Sequence, residues 1–391
     1  MTTNRDLPRP GPDELAHSDR LLEVIRTAIE EARGWISFAK YMEMALYTPG
    51  LGYYSAGSRK LGAAGDFVTA PEVAPVFSQC LATQCAEILD ALGGGDILEL
   101  GAGSGIMAAT VLRELDRLGA RPKRYRILDL SADLRERQYE TLASLVPDQT
   151  ASVEWLDRLP GRFTGVVVAN EVLDAMPVER FVIRGRHVNE LGVSWQFGRL
   201  EWAEKRATKR LLLAVRNIET MIGAPLPDGY TSEINLGLRP WLRSVAASLE
   251  RGALLFVDYG LPRREFYSPE RRTGTMLCHF RHRFHDDPFA YPGLQDITAW
   301  VDFTTVAEAA TGAGLTLDGF TTQAGFLLGC GLLTMLDPGG AVSRESVMQS
   351  NQAGQLILPG QMGERCRVIA FSRDWAGTLP GLTAPDLSGS L

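Results

Sequence analysis

The sequence predicts an α/β protein in which helices cover a parallel β-sheet. From residue 96 onward, short apolar runs alternate with segments of helical periodicity, an alternation that is typical of βαβ units. Residues 101–105 read Gly-Ala-Gly-Ser-Gly and stand between the first of these strands and its helix. Three consecutive valines, at residues 166–168, are typical of a strand that is buried on both faces. These observations together favour a parallel sheet wrapped by helices.

Ahead of the sheet, the sequence predicts a helical segment followed by a long loop. Apolar residues recur at helical spacing over residues 19–33, and Gly34 provides a stop signal. A second helix is predicted at residues 36–46, and the glycine-bearing stretch 47–71 is predicted to be a loop. A long loop inside a compact chain is usually functional or mobile.

The elements of the sheet follow in order from residue 96. Strands are predicted at residues 97–100, 125–130, 153–156, 166–169, 254–257, 315–320 and 367–371, and helices at residues 106–118 and 133–145.

The gap between the strands at residues 166 and 254 is far longer than one crossover helix requires. An insertion is therefore predicted at about residues 181–238, containing a hairpin at 181–197 and a helix at 209–221. A second insertion is predicted at about residues 261–300, which are rich in Arg, His, Pro and Asp. The expected organisation is an N-terminal helical segment with its loop at residues 1–90 and a sheet domain at residues 91–391. Insertions between strands commonly build the substrate side of a site.

Composition narrows the classes of function. The 391 residues contain 40 Lys and Arg against 47 Asp and Glu, a net charge of −7 that offers no general attraction for phosphate backbones, so nucleic acid is not expected as a partner. No apolar run approaches the roughly 18 to 20 residues of a membrane helix, and residues 1–20 lack an apolar signal core, so a cytoplasmic protein without membrane insertion is expected. The five cysteines are scattered without a CxxC pair, which predicts reduced thiols and no structural zinc.

Residues 101–105, called the glycine turn below, indicate a nucleotide-like ligand. Glycines let the backbone approach a ligand closely, and the N-terminus of the following helix supplies unpaired N–H groups. The dinucleotide fingerprint GxGxxG would need a third glycine where Ile106 stands, so NAD is excluded. Glu99 lies two residues before the turn, and Asp129 ends the second predicted strand. The alternative is a tight turn beside which Glu99 and Asp129 are merely solvated.

An acid two residues before GxGxG resembles the first motif of class I methyltransferases that use S-adenosylmethionine. In that family the glycine loop lies under the methionyl part of the cofactor, and an acid at the end of the second strand binds the ribose hydroxyls, a position that Asp129 matches. The resemblance implies a Rossmann-like class I methyltransferase sheet, with a helical N-terminal segment and insertions, and S-adenosyl-L-methionine as cofactor. The cofactor-binding residues that it implies are Glu99, Gly101, Ala102, Gly103, Asp129, Leu130 and Asn170.

A segment upstream of the sheet is a candidate cofactor lid. Gly65, Asp66 and Thr69 are predicted to contribute to the cofactor pocket. The alternative is that Thr69 is the N-cap of a helix, because Pro71 and Glu72 follow it at a good helix start.

Several further motifs are similar to those of the MidA family, whose mitochondrial members are complex I assembly factors that methylate arginine on a subunit of the complex. The matching segments, spread over most of the chain between residues 36 and 333, are residues 65–72, 170–177, 258–260, 274–279, 281–283, 295–298, 301–303 and 321–323. The resemblance implies a methyltransferase acting on arginine of a protein substrate, such as a respiratory-complex subunit or another arginine-bearing protein. Ser104 and Trp300 depart from the family pattern and leave the substrate open. The alternatives are an assembly factor that binds the cofactor without catalysis and a methyltransferase of small molecules.

The predicted catalytic residues follow from the chemistry of arginine. A guanidinium keeps its proton, with a pKa above about 12, so an enzyme that methylates it needs carboxylates to orient it and draw off charge. Glu171 and Asp174, three residues apart after the fourth strand, are predicted to bind the guanidinium, and Asn170 is predicted to shape the site. The alternative is that Asp174 caps a following helix and Glu171 contacts the cofactor.

The histidines His279, His282 and His285 are spaced by three and invite comparison with a metal site. Methyl transfer requires no metal, and the interleaved Arg281 and Arg283 would repel a cation, so no metal is expected. A polar lining for a protein-substrate groove, or a surface network with nearby aspartates, is favoured instead.

Overall fold

The computed structural model describes residues 7–56, 68–336, 344–383 and 385–391. The helices of this part of the chain are α1 (Pro12–Glu31), α2 (Phe38–Tyr47), α3 (Ala70–Val73), α4 (Pro75–Leu92), α5 (Ile106–Arg117), α6 (Ala132–Leu145), α7 (Lys209–Ile222), α8 (Leu238–Ser248), α9 (Arg263–Phe266), α10 (Phe303–Gly312), α11 (Gln323–Gly329), α12 (Leu332–Leu336), α13 (Arg344–Ile357) and α14 (Met362–Arg365).

The strands of the same residues are β1 (Ile36–Ser37), β2 (Asp96–Leu100), β3 (Tyr125–Leu128), β4 (Val153–Leu156), β5 (Phe163–Asn170), β6 (Glu179–Arg184), β7 (His187–Gln196), β8 (Arg199–Arg206), β9 (Thr231–Ile234), β10 (Leu249–Leu261), β11 (Leu277–Phe280), β12 (Arg283–His285), β13 (Asp296–Thr298), β14 (Val301–Asp302), β15 (Thr316–Thr322) and β16 (Cys366–Arg373).

The chain folds into two compact units. The sheet unit comprises Val68–Val172, Arg239–Gly260 and the described part of Phe303–Leu391. The insertion unit comprises the described part of residues 1–67, together with Leu173–Leu238 and Leu261–Asp302. This division differs from the expected boundary at residue 90, because residues 68–92 belong with the sheet and both insertions group with the N-terminal segment.

The sheet unit contains the predicted parallel sheet. Its strand order is β15-β16-β10-β5-β2-β3-β4, and β10, β5, β2, β3 and β4 run parallel. Strand β16 is antiparallel to both of its neighbours, β10 and β15, which the sequence did not predict. The strand order reverses between β2 and β5, and ligands of doubly wound sheets bind outside the carboxyl ends of the strands at such a point. The predicted α/β fold is therefore confirmed, and its switch point lies at the glycine turn.

The core of the sheet unit lies between the strands and the helices that cover them. Val166, Val167 and Val168 of β5 are all at most 2% exposed, which confirms burial on both faces. Phe77 and Ile88 of α4 are fully buried in the hydrophobic cluster that also contains Val166 and Val168, because α4 presents an apolar surface to α5 and to the sheet.

The insertion unit is built on a second, antiparallel sheet. Its strands follow the order β1-β7-β6-β9, with β8 paired to β7, and β6 and β7 form the hairpin predicted at residues 181–197. A small sheet of order β12-β11-β13 forms separately within the unit.

The helix starts in this unit differ from prediction. Helix α1 begins at Pro12 instead of residue 19, since proline suits the first turn and Glu14 accepts the Gly11 N–H at 2.6 Å. Helix α2 begins at Phe38, because Ser37 belongs to β1 and its hydroxyl caps the helix by accepting from Lys40 N at 3.2 Å. Across the described ranges, helices fall short of the length and apolar character that a membrane crossing demands.

Candidate active site

The glycine turn joins β2 to α5 in a backbone conformation that favours glycine. Gly101, Gly103 and Gly105 have φ angles of 67°, 54° and 83°. A Cβ atom on Gly101 would lie 2.9 Å from Cγ2 of Val172, and one on Gly105 would lie 2.9 Å from the Cα atom of Gln138. The fold itself therefore requires these two glycines, in addition to any close approach of a ligand. The turn leaves the N-terminus of the 12-residue helix α5 at the carboxyl end of β2.

Glu99 is a fully buried carboxyl group with one oxygen available to a ligand. Its Oε2 atom accepts a hydrogen bond from the Tyr125 hydroxyl at 2.6 Å. Its Oε1 atom has no hydrogen-bond partner among the described residues. The pKa of Glu99 is raised to about 7, mainly by burial, which the Tyr125 hydrogen bond opposes and the charge of Asp129 reinforces. A buried acceptor without a partner is costly, so this atom fits a ligand that presents an N–H or ammonium group.

Asp129 follows β3 and is held by a network. One carboxylate oxygen accepts from Ser131 N at 3.0 Å, and the other accepts from Nε2 of Gln138 at 2.9 Å. Burial raises the pKa of Asp129, against the effect of both hydrogen bonds. Gln138 also donates to the Gly103 carbonyl at 3.1 Å, so one buried amide connects the glycine turn to the acid. Leu130 is 79% exposed and leaves an apolar surface beside Asp129.

Gln138 was not among the residues predicted from the sequence to take part in the site. Its type and spacing resemble no motif, and only its position on α6, opposite the glycine turn, brings it to both groups. Ser104, which departs from the family pattern, also makes contacts that its sequence context does not predict. Its hydroxyl donates to Oε1 of Glu72 at 2.9 Å, and its carbonyl accepts from the Thr141 hydroxyl at 2.8 Å.

Glu171 follows β5 with an unusual backbone. Its N–H donates to the Val257 carbonyl at 2.8 Å, and its φ angle of 52° lies in the left-handed region. Oε1 of Glu171 accepts from Ala70 N and from Nδ2 of Asn170, both at 3.2 Å. The pKa of Glu171 is raised to about 8, mainly by burial and further by the charges of Asp258 and Glu72, against the lowering effect of the two hydrogen bonds.

The remaining predicted positions of the sheet unit are placed as follows. Oδ1 of Asn170 is buried and has no hydrogen-bond partner among the described residues. Ala102 is 7% exposed within the glycine turn. Thr69 occupies the N-cap position of α3, but its side chain makes no capping hydrogen bond. Gly65 and Asp66 lie outside the described residues.

Asp174 belongs to the insertion unit. It is 7% exposed, and its carbonyl accepts from Ala299 N at 3.0 Å. Burial and the charge of Asp296 raise the pKa of Tyr54, and the charge of Asp174 raises it by a smaller amount. Both carboxylate oxygens of Asp296 accept from the Tyr54 hydroxyl at 3.0 Å. The next element after Asp174 is the strand β6, so Asp174 does not cap a helix and this part of the alternative is wrong, whereas a contact of Glu171 with the cofactor stays a prediction.

The histidine segment lies on the small sheet of the insertion unit. Nε2 of His279 is 3.4 Å from the Thr298 hydroxyl, and Nδ1 of His285 accepts from Asp287 N at 3.4 Å. Burial lowers the pKa of His279 to about 4 and also lowers that of His285. His282 is exposed at the turn between β11 and β12. The described part of the chain contains no group of three His, Cys, Asp or Glu side chains that could hold a metal ion.

Fold and site together define the class of the protein. A doubly wound sheet places a glycine turn, an acid before it and an acid after the next strand around a single switch point, as expected for an enzyme that binds a nucleoside cofactor. Residues 80–321 match the model of the Methyltransf_28 family of S-adenosyl-L-methionine-dependent methyltransferases, and the chain belongs to this family. Its cofactor is therefore S-adenosyl-L-methionine, as predicted.

Curated relatives confirm the resemblance to the MidA family. Two proteins named "Protein arginine methyltransferase NDUFAF7, mitochondrial" are similar over most of the chain. The Danio rerio protein is 28% identical over 379 residues, covering 85% of this chain and 82% of the relative. The Mus musculus protein is 27% identical over 397 residues, covering 92% and 86%. These mitochondrial names contradict the predicted cytoplasmic location, which was wrong because composition and a missing apolar signal core do not specify a compartment.

Solved structures support the same assignment. A structure described as "a COG1565 superfamily member and likely methyl transferase from Burkholderia thailandensis bound to S-adenosyl-homocysteine" is 44% identical, with a TM-score of 0.93 and coverage of 99% of this chain and 100% of that one. A native structure from the same organism gives a TM-score of 0.90 at the same identity and coverage.

Proposed function

We propose that this S-adenosyl-L-methionine-dependent methyltransferase methylates arginine side chains of a protein acceptor. The observation that carries the proposal is Glu171, a carboxyl group at the carboxyl end of β5 beside the switch point of the sheet. The names of the NDUFAF7 relatives support both the arginine and the protein acceptor.

The residues at the switch point fit the cofactor. When bound, S-adenosyl-L-methionine supplies a methyl group already activated on its sulfonium. Oε1 of Glu99 would accept from the ammonium of the cofactor, and Asp129 would accept from the ribose hydroxyls, since each carboxylate oxygen can accept more than one hydrogen bond. Gly101 and Gly103 would admit the chain of the cofactor, and Leu130 would contact its base.

Glu171 would bind the guanidinium of the acceptor. Because its pKa is about 8, this carboxyl group is mostly protonated at pH 7 in the free enzyme. A bound guanidinium favours the carboxylate, and releasing the proton at pH 7 costs about 1.4 kcal/mol for one pH unit. Methylation would form a new N–C bond as the S–C bond of the sulfonium breaks, and the guanidinium nitrogen would lose a proton that a carboxylate with a raised pKa is suited to receive.

Asn170 and Asp174 complete the proposal. The amide of Asn170 donates to Oε1 of Glu171 and leaves its own oxygen for a donor on the substrate or cofactor. Asp174 remains in the proposal from the sequence alone, as a second carboxylate for the guanidinium. Its replacement is treated below as a separate prediction.

The experiment uses the complete chain, S-adenosyl-L-methionine with a labelled methyl group, and a lysate of the host. We expect labelled protein bands with the wild type and with Glu114→Gln, a control that removes a buried carboxyl charge on α5 outside the site. Glu171→Gln is expected to bind the cofactor normally and to lose labelling. Labelling by Glu171→Gln at the wild-type rate would contradict the role of Glu171. Cofactor binding without any labelled protein would favour the alternative of an assembly factor, and label confined to small molecules would favour a small-molecule acceptor.

A further inference from the structure

Asp258 is a buried carboxylate beside the proposed catalytic group. It lies on β10, where Val257 pairs with Asn170 of β5, so Asp258 follows at the level of Glu171. Asp258 is 1% exposed. Its Oδ2 atom accepts from Val172 N at 3.1 Å, and its Oδ1 atom accepts from Tyr259 N at 2.8 Å.

These hydrogen bonds hold the backbone on the carboxyl side of Glu171. The N–H of Glu171 is bound to the Val257 carbonyl, and the N–H of Val172 is bound to Asp258. Between these two anchors the chain passes through the left-handed conformation of Glu171, with φ at 52°. A residue with a Cβ atom adopts this conformation at a cost and keeps it only when the surroundings determine it. Asp258 supplies one of the two anchors that flank this conformation.

We propose that Asp258 is a positioning residue, which fixes the left-handed turn at Glu171 and so aims the Glu171 carboxyl group into the ligand crevice. The consequence for methyl transfer rests on the proposed function of Glu171. The positioning itself does not depend on that function, because it concerns contacts within the sheet unit.

The charge of Asp258 also raises the pKa of Glu171, after the larger effects of burial, which raises it, and of the Ala70 hydrogen bond, which lowers it. The groups that face Glu171 in the sheet unit are Asp258 on β10, Glu72 and the Ala70 N–H on α3, and the Asn170 amide on β5. The two carboxylates disfavour a negative charge on Glu171, and the two donors favour it. Without the Asp258 charge, the pKa of Glu171 falls below its value of about 8.

The test compares the wild type with Asp258→Asn in two measurements that need no methyl acceptor. An asparagine oxygen can accept from one backbone N–H, but its NH₂ group faces the other. We therefore expect amide hydrogen exchange at Val172 or Tyr259 to accelerate about tenfold or more. Infrared titration follows the Glu171 carboxyl band, which is identified by its absence in Glu171→Gln. In Asp258→Asn we expect the midpoint of this band to lie about one pH unit below that of the wild type.

The control is Asp318→Asn, which also removes an aspartate of the sheet unit that accepts a hydrogen bond, from the Ser372 hydroxyl at 2.9 Å. It is expected to leave both measurements unchanged. Unchanged exchange and an unchanged midpoint in Asp258→Asn would overturn the proposal. If Asp258→Asn does not fold, the wild type decides, since rapid exchange of the Val172 amide would by itself show that the turn is not held. Loss of labelling in Glu171→Gln tests the proposed function separately.

Discussion

Replacing Glu99 by glutamine is expected to stabilise the ligand-free protein at alkaline pH while weakening cofactor binding. The carboxyl group is fully buried, and its pKa is raised from an ordinary value of 4.5 to about 7. The fold therefore favours the protonated form. The stability that this group contributes is fully present below about pH 4.5 and is lost as the pH rises through about 7.

The magnitude follows from the size of the shift. A full shift of this size corresponds to about 3 kcal/mol, of which about 2 kcal/mol is lost between pH 5.5 and 8.5. Glutamine has no proton to release and stays neutral at both pH values. The free energy of unfolding of Glu99→Gln, relative to that of the wild type, should therefore be about 2 kcal/mol higher at pH 8.5 than at pH 5.5. Urea unfolding of both proteins at the two pH values measures this difference. An equal difference at both values would refute the assignment of the raised pKa to Glu99.

The effect on the cofactor has the opposite sign. The glutamine oxygen can keep the hydrogen bond from Tyr125, but its amide donors then take the place of the unpartnered Oε1. A hydrogen bond to a charged group contributes about 1.5–3 kcal/mol, which corresponds to roughly 10- to 100-fold weaker binding of S-adenosyl-homocysteine by calorimetry. Unchanged affinity would show that Oε1 of Glu99 does not contact the ligand.

Three further outcomes follow from the site. Gly101→Ala is expected to lower both stability and affinity for S-adenosyl-homocysteine, because its Cβ atom would lie 2.9 Å from Val172. The control is Gly119→Ala, which has a similar φ of 71° but lies in open space. In a thermal unfolding comparison, backbone strain should lower the stability of this control by only roughly 1 kcal/mol. The value of kcat/KM for the acceptor should rise with pH up to about 8 and level off above it, because the carboxylate form of Glu171 binds the guanidinium; a profile that is flat between pH 6 and 9 would contradict this role. Asp174→Asn should lower turnover about 100-fold at saturating cofactor if Asp174 binds the acceptor, and unchanged turnover would remove it from the site.

Local patterns predicted the sheet unit well where each element depends on its own residues. The valines at 166–168 read as a doubly buried strand, and they occupy β5 at the centre of the sheet. The glycine turn after residue 100 was predicted from spacing, and its left-handed φ angles explain why glycine stands there. Such features are set by short-range sterics and by periodic burial, which a single sequence records.

Features that depend on distant parts of the chain were not predictable in the same way. The reversed direction of β16, which is antiparallel to both β10 and β15, depends on how the chain returns to the sheet, and strand patterns carry no direction. Gln138 and Asp258 act through contacts with residues that are far away in sequence, and neither residue type signals its partner. The grouping of the two insertions with the N-terminal segment is equally a matter of long-range packing.

The central claim is that the methyl group goes to arginine of a protein. The most direct measurement is mass spectrometry of the labelled acceptor, digested to peptides, after reaction with the complete chain and labelled S-adenosyl-L-methionine. We expect the label on an arginine side chain with the wild type and no label with Glu171→Gln. Label on another residue type, with arginine unmodified, would contradict the claim.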